Sequence, residues 1–380
     1  MPAVSNAMKG LKRSGIREVM DLAAKESNVI HLEVGEPLFQ TPSHISTAAY
    51  ESSVAGYTKY TPNNGLLSLR NTISSRLNED YGLNVTADNI IITVGAVGAI
   101  STAIRAIVDH GDEILIPDPG WPNYEMMIHC AGAIPKHYLL SPESGYLPSL
   151  NDIEKLVTPK TKGIVINSPS NPLGTIIPDK LIKEIVDFAY RKNIFVISDE
   201  VYEKIVFDCA HNSALKHDKY GCVISAFSFS KTYAMTGWRV GYAVASTEVS
   251  SIIGKLQEAY VSCACSISQK AAEAAILSSQ ACVNNMVSTY HNNLSLAINI
   301  LDEYGMDYHT PSGAFYMWIK VPSSDSTAFA KMLLTEKKIA VAPGATFGPS
   351  GQGHIRISLA SPQDSIQEGL NAIGNLVTSM

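Results

Sequence analysis

The stretch Val223-Ile224-Ser225-Ala226-Phe227-Ser228-Phe229-Ser230-Lys231 reads as a buried strand ending in a chemically loaded turn. Its first five residues are largely apolar and β-prone, the pattern of a strand covered on both faces in a parallel sheet between helices. Lys231 then falls just past the strand end, where α/β folds keep their ligand sites. Eight positions later, Gly237-Trp238-Arg239-Val240-Gly241 sets a guanidinium between glycines. The set comprises an amine able to form a Schiff base, two hydroxyls, and an arginine fork able to hold a phosphate. A lone Ser-x-Ser-Lys is more often structural, but glycines that let backbone approach a ligand tilt the reading toward a site. On these residues alone, another kind of phosphate-binding loop stays open.

Working outward, apolar β-rich runs alternate with helix-period segments: Ile91 to Val94, Glu113 to Ile116, Gly163 to Ile166, Ile194 to Ile197, Cys222 to Phe227 and Val240 to Ala245. This βαβ rhythm predicts an α/β fold with a mostly parallel sheet sandwiched by helices. Leu66, Leu69, Ile73 and Leu77 form one helix stripe, and Leu181, Ile182, Ile185, Val186 and Ala189 another, while Gly111 stands where a helix C-cap would. From about Ser288 the style changes to a long helical stretch, a strand from Gly313 to Ile319 and a Pro/Gly-rich loop through Pro343, Gly344 and Gly348. The expected division is a large domain, 46–287, and a smaller α/β domain made of 1–45 and 288–380, with Val29 to Val34 as a strand packing in the latter.

At 380 residues the chain can bury a substantial core, and a net charge of -6 with no long basic run argues against nucleic acid or an anionic membrane as partner. The N-terminal Lys9, Lys12, Arg13 and Arg17 flank no apolar segment, so no signal peptide is expected, and no run is long enough to span a bilayer. Six scattered cysteines lack zinc-site spacing and read as reduced thiols. A cytoplasmic enzyme with no metal is the expectation.

The partners of Lys231 sit at other strand ends. Ile194 to Ile197 leads into Ser198-Asp199-Glu200-Val201-Tyr202, setting a carboxylate and a phenol together. Asp199 could merely cap a helix. Its functional reading is a buried counter-ion that keeps a pyridine nitrogen protonated, as pyridoxal phosphate requires of its site. Asn167-Ser168-Pro169-Ser170-Asn171-Pro172-Leu173-Gly174 is either a plain turn or a loop offering the Asn171 amide to the phenolic oxygen of that cofactor, with cis bonds open at its prolines. Gly95-Ala96-Val97-Gly98 opens an apolar helix whose free N–H groups could cradle a phosphate; its Gly-x-x-Gly spacing does not meet the dinucleotide-binding Gly-x-Gly-x-x-Gly pattern. Trp121 is a core plug or a stacking face. Arg356, inside the apolar run His354 to Leu359, is a carboxylate clamp or half of an internal salt bridge.

Together these residues resemble the class I/II aminotransferases, pyridoxal-phosphate enzymes of fold type I, along nearly the whole chain. Further matches lie in Leu32-Glu33-Val34-Gly35-Glu36-Pro37, in Phe39 with Thr41-Pro42, and in Tyr60-Thr61-Pro62 with Gly65-Leu66. The resemblance implies Lys231 as Schiff-base lysine and proton shuttle, Asp199 on the ring nitrogen, and Asn171 and Tyr202 on the phenolic oxygen. Ser228, Ser230, Arg239 and the Gly95-Ala96-Val97 backbone would form the phosphate cup, and Trp121 would stack on the ring. Substrate would meet Gly35, Trp121, Asn171 and Arg356. Tyr60 would reach the neighbouring subunit's phosphate, which implies a homodimer with shared active sites. The implied activity is ping-pong transfer of an α-amino group to a 2-oxo acid, 2-oxoglutarate or pyruvate. Alternatives on the same fold are a β-elimination lyase, an oxidase, a decarboxylase, or a non-catalytic sensor. Val97 stands where some acidic-substrate relatives place lysine, and no residue decides the donor side chain.

Overall fold

The apolar runs become one seven-stranded sheet, because strands without polar alternation must be buried on both faces. The computed structural model describes residues 2–11 and 13–379; Lys12 lies outside them. The strands are β1 (Ile90–Thr93), β2 (Glu113–Asp118), β3 (Ile134–Leu139), β4 (Thr161–Asn167), β5 (Phe195–Asp199), β6 (Val223–Ser228) and β7 (Gly241–Val244), in the order β1-β7-β6-β5-β4-β2-β3. β7 is antiparallel to both its neighbours, and the remaining pairings are parallel, so six strands end on the same edge.

Alternate residues of each strand feed two apolar layers. Ile91, Ile114, Ile116, Val165, Ile197 and Ile224 pack on Ala99, Ile100, Ala103 and Ile104 of the helix Gly95–Ile107. Ile92, Leu115, Ile164, Ile166, Val196 and Phe227 pack on the opposite layer, which includes Leu69, Ile73 and Leu77 of the helix Leu67–Tyr81 and Ile182, Ile185 and Val186 of the helix Asp179–Lys192. Both helix stripes read from the sequence therefore face the sheet. Each fully buried Ile or Leu contributes about 1.5–3 kcal/mol.

A second sheet forms near the C-terminus from β8 (Tyr308–His309), β9 (Tyr316–Lys320), β10 (Ala342–Pro343) and β11 (His354–Ser358), in the order β10-β11-β9-β8, all antiparallel. Its core joins Leu32, Phe315, Ile319, Ile355 and Ile357 to helices Ala281–Glu303, Ser326–Lys337 and Gln363–Thr378. The N-terminal helix α1 (Gly15–Ala23) lies against this unit, with Val19 and Ala23 packed on Leu334 and Ala340.

Several expected boundaries shift. Of Val29 to Val34, only Ile30–His31 is strand, paired parallel with Ile339–Ala340, because the chain bends away at Val34-Gly35 into the cavity described below. Gly111 is not a helix cap: the helix ends at Ile107 with Val108 extended, and Gly111, at φ +83°, makes the turn before β2 and donates its N–H to Gly132 O at 2.9 Å. The strand from Gly313 begins only at Tyr316, since Gly313 N–H bonds to Gly174 O at 2.9 Å and Ala314 takes φ +58°. Positions 45/46 and 287/288 both lie inside helices, Ser43–Val54 and Ala281–Glu303.

Candidate active site

The C-terminal edge of the large sheet and the second sheet enclose a cavity of about 770 Å³. Lys231 reaches it from the short helix Phe229–Thr232 that follows β6, with Ser228 Oγ accepting the Ser230 N–H at 3.1 Å. Its Nζ donates to Gly35 O at 2.5 Å. Burial first, then the positive charges of Arg356 and Arg239, outweigh Glu36 and pull its pKa down to about 8. A far larger fraction of the amine than for an ordinary lysine is therefore neutral near physiological pH, the state in which it can act as nucleophile or base.

Asp199 ends β5 with its carboxylate buried, accepting the Tyr124 O–H at 2.5 Å and the Val201 N–H at 3.3 Å. Burial, reinforced by Glu200 and opposed by those two hydrogen bonds, pushes its pKa up to about 6. No helix follows for it to cap, because Val201–Lys204 is a turn. Tyr202, also buried, shares a 2.7 Å hydrogen bond with Tyr316 Oη, and burial raises its pKa well above the usual phenol value.

Arg356 on β11 is 1% exposed. Its Nη1 donates to Asn171 Oδ1 at 2.9 Å, its Nη2 donates to Glu33 O at 2.6 Å, and its guanidinium lies 4.1 Å from the Tyr316 ring centroid. Its Nε has no partner, and among the described residues no carboxylate pairs with it. The internal salt bridge is thus absent. Glu33 supplies its charge only at longer range, and a buried guanidinium with no carboxylate in contact is costly unless a ligand supplies one. Asn171 is itself held by its N–H bond to Asn167 Oδ1 at 2.7 Å; the peptide bonds before Pro169 and Pro172 are both cis.

Beside Lys231, Arg239 takes φ +51° and donates through Nη1 to Thr236 O at 2.6 Å. Gly95, at φ +68°, opens the helix there, and a Cβ on it would lie 2.7 Å from Arg239 Nη2. The first-turn amides of Gly95, Ala96 and Val97 have no helical acceptor, and Ser228 and Ser230 face the same cavity. A small anion fits this cradle of amides, hydroxyls and guanidinium. Trp121 is half-buried at the cavity wall, edge-on to Tyr124 at 5.3 Å, so it is not a core plug. A side chain at Gly35 would strike the Tyr316 hydroxyl.

Tyr60 stands apart from this group: it is 89% exposed and does not line the cavity. Sequence reasoning missed Tyr124, Asn167 and Tyr316 as site residues. Tyr124 and Asn167 lay inside segments already singled out, three positions after Trp121 and at the end of an apolar strand, and those placements were the available signal.

A cavity that sets a lysine of lowered pKa near a buried arginine with no carboxylate in contact suits an enzyme acting on a small carboxylic acid that reacts with amines. A family model for aminotransferase class I and II matches residues 27–373. The putative aminotransferase YugH of Bacillus subtilis is 40% identical over 372 residues, covering 97% of this chain and 96% of that one. A probable aspartate aminotransferase of Methanocaldococcus jannaschii is 38% identical over 377 residues, covering 97% and 98%. Among solved structures, a double mutant of Thermus thermophilus aspartate aminotransferase superposes with a TM-score of 0.95 at 30% identity, over 99% of this chain and 100% of that one. The chain belongs to the class I and II aminotransferases. It is a transferase of amino groups, in a family that generally depends on pyridoxal phosphate and acts on amino acids and 2-oxo acids.

Proposed function

We propose that this chain binds pyridoxal phosphate and moves the α-amino group of an amino acid to 2-oxoglutarate or pyruvate by a ping-pong mechanism. The observation that carries the reading is the buried Arg356, which lacks a carboxylate partner, in one cavity with the low-pKa Lys231. The residues present fit the cofactor: Asp199 suits the ring nitrogen, Asn171 and Tyr202 the phenolic oxygen, Trp121 the ring face, and Ser228, Ser230, Arg239 and the Gly95-Ala96-Val97 amides the phosphate. When bound, the cofactor supplies an aldehyde that condenses with amines and a cationic ring that withdraws electrons from the carbon bearing the substrate amine.

Arg356 binds the substrate α-carboxylate through its fork, and Asn171 keeps that fork aimed. Gly35 leaves room for substrate against Tyr316. With both ends of the amino acid fixed, Lys231 takes the proton from Cα and returns it on the cofactor side, a proton transfer by a group whose pKa lies close to working pH.

We further propose a homodimer. A groove of about 720 Å³ lined by Phe39, Thr41, Trp238, Arg239 and Cys265 adjoins the anion cradle, and exposed Tyr60 suits insertion into the same groove of a partner. Two apolar cores support the division into a 46–287 domain and a domain of 1–45 with 288–380. No described helix is long and apolar enough to cross a membrane, and the free cysteines suit a reducing, cytoplasmic location.

The test offers a panel of amino acids to the cofactor-loaded protein and measures the 2-oxo acid released in single half-reactions. Release with at least one donor, and its loss by about 10³-fold or more in Lys231→Ala, is the expected result. Ammonia release without retention of the amino group on the protein would favour a lyase, and undiminished activity in Lys231→Ala would remove the proposed mechanism.

A further inference from the structure

Two buried phenols meet in the cavity, and only Tyr202 has a task in the chemistry above. Tyr202 follows the end of β5 and Tyr316 opens β9, so the 2.7 Å hydrogen bond between their hydroxyls joins the two sheets. Both line the cavity, and their rings meet edge-on at 5.7 Å. Among the described residues each hydroxyl has the other as its only hydrogen-bond partner. Burial raises the pKa of both phenols, so each keeps its proton at neutral pH. The charged groups facing the pair are Arg356 from β11 and Asp199 from β5.

Each hydroxyl carries one proton, and that count decides the direction of the bond once the site is loaded. A Tyr202 that spends its proton on the phenolic oxygen of the cofactor can only accept from Tyr316. A hydroxyl that accepts a hydrogen bond is in turn a stronger donor, because successive bonds polarise one another. The Tyr316 ring is held where its hydroxyl can do this. Tyr316 pairs in register with Ser358 and Trp318 with Arg356, which sets Tyr316 and Arg356 as diagonal neighbours on one face of the second sheet. The ring accordingly lies 4.1 Å from the guanidinium, in cation–π contact. On its other side the hydroxyl fills the space a side chain at Gly35 would need, beside the carbonyl that accepts from Lys231.

We infer that Tyr316 is a positioning residue that acts on the cofactor through Tyr202: its hydroxyl donates to Tyr202 Oη and sets how strongly Tyr202 donates to the phenolic oxygen, while its ring steadies Arg356. This rests on the cofactor reading above and extends it to a residue of the second sheet.

The experiment loads wild type, Tyr316→Phe, Tyr316→Leu, Tyr202→Phe, the Tyr202→Phe Tyr316→Phe double variant and Tyr290→Phe with pyridoxal phosphate. It follows visible absorption against pH, the cofactor dissociation constant, and KM in half-reactions for the donor that reacts fastest. In Tyr316→Phe the weakened Tyr202 stabilises an anionic phenolic oxygen less, so the loaded site holds its titrating proton more tightly. The midpoint of the absorption change should therefore rise by about half to one pH unit and the cofactor should bind about 3- to 10-fold more weakly, the size of one hydrogen bond, with KM within about twofold. Tyr316→Leu, which also loses the ring, should raise KM about 5- to 20-fold. In the Tyr202→Phe background Tyr316→Phe should add no further shift, because its effect passes through Tyr202. Tyr290→Phe removes another buried phenol hydroxyl, one with no partner, and should leave the midpoint in place. An unmoved midpoint in Tyr316→Phe, a shift of the same size in the Tyr202→Phe background, or an equal shift in Tyr290→Phe would overturn the assignment, and equal KM in Tyr316→Phe and Tyr316→Leu would overturn the part given to the ring. Wild-type protein that gains no visible band with pyridoxal phosphate would instead sink the cofactor reading itself.

Discussion

Asp199→Asn separates the stability of this protein from its chemistry. Asp199 is buried, and its pKa in the folded chain is about 6 against an ordinary 3.8. Because the folded value lies above the unfolded one, its favourable contribution is complete below pH 3.8 and is lost as pH rises through 6. Two pKa units at 1.36 kcal/mol each put the cost of the ionised carboxylate near 3 kcal/mol at neutral pH. An asparagine keeps the shape and can still pair with Tyr124 and Val201 while shedding the charge. Cofactor-free Asp199→Asn should therefore be more stable than wild type at pH 7.5. For a 380-residue chain, whose unfolding entropy scales to about 0.8 kcal/mol/K, that corresponds to a Tm about 4 °C higher. At pH 5 the gain should shrink to about half, since wild-type Asp199 is by then largely protonated in the folded state. Adding pyridoxal phosphate should raise the Tm of wild type more than that of the variant, because only the carboxylate can pair with a cationic ring nitrogen. Calorimetric or dye-based melting at the two pH values, with and without cofactor, measures all of this. A variant no more stable than wild type, or a gain independent of pH, would refute the view that this site stores the cost of a buried anion for a cationic ligand.

Four further outcomes follow from the same geometry. Labelling of Lys231 in cofactor-free protein by an amine reagent, read peptide by peptide, should rise with pH and level off above about 8, because the neutral amine reacts and its folded pKa lies there rather than at 10.5. Arg356→Lys should raise KM for amino acids about 10- to 100-fold, measured in half-reactions, since a point charge cannot replace a two-point fork and leaves Asn171 Oδ1 or Glu33 O without its donor. In analytical ultracentrifugation the protein should sediment as a species of twice the 40.9 kDa chain mass. Tyr60→Phe should weaken cofactor retention without changing that mass.

Lys231, Asp199 and Arg356 were legible because each interrupts or ends an apolar run, and a charge in such a place is too costly to bury without a task. The two-faced apolar strands likewise revealed a sheet between helix layers. Their exact limits were less visible: the chain around Gly313 and Gly174 is shaped by a close backbone approach between segments about 140 positions apart, which no local pattern records.

Residue types and their spacing were enough to establish the α/β class, the Schiff-base lysine candidate and its acid and arginine partners, because solvation energy acts on each residue wherever it sits. The hydrogen bonds from Tyr124 to Asp199, from Arg356 to Asn171 and between Tyr202 and Tyr316 join positions 75, 185 and 114 residues apart. Those relations arise only when the chain packs, since it is the three-dimensional closure of the sheets, and not any stretch of sequence, that makes such residues neighbours.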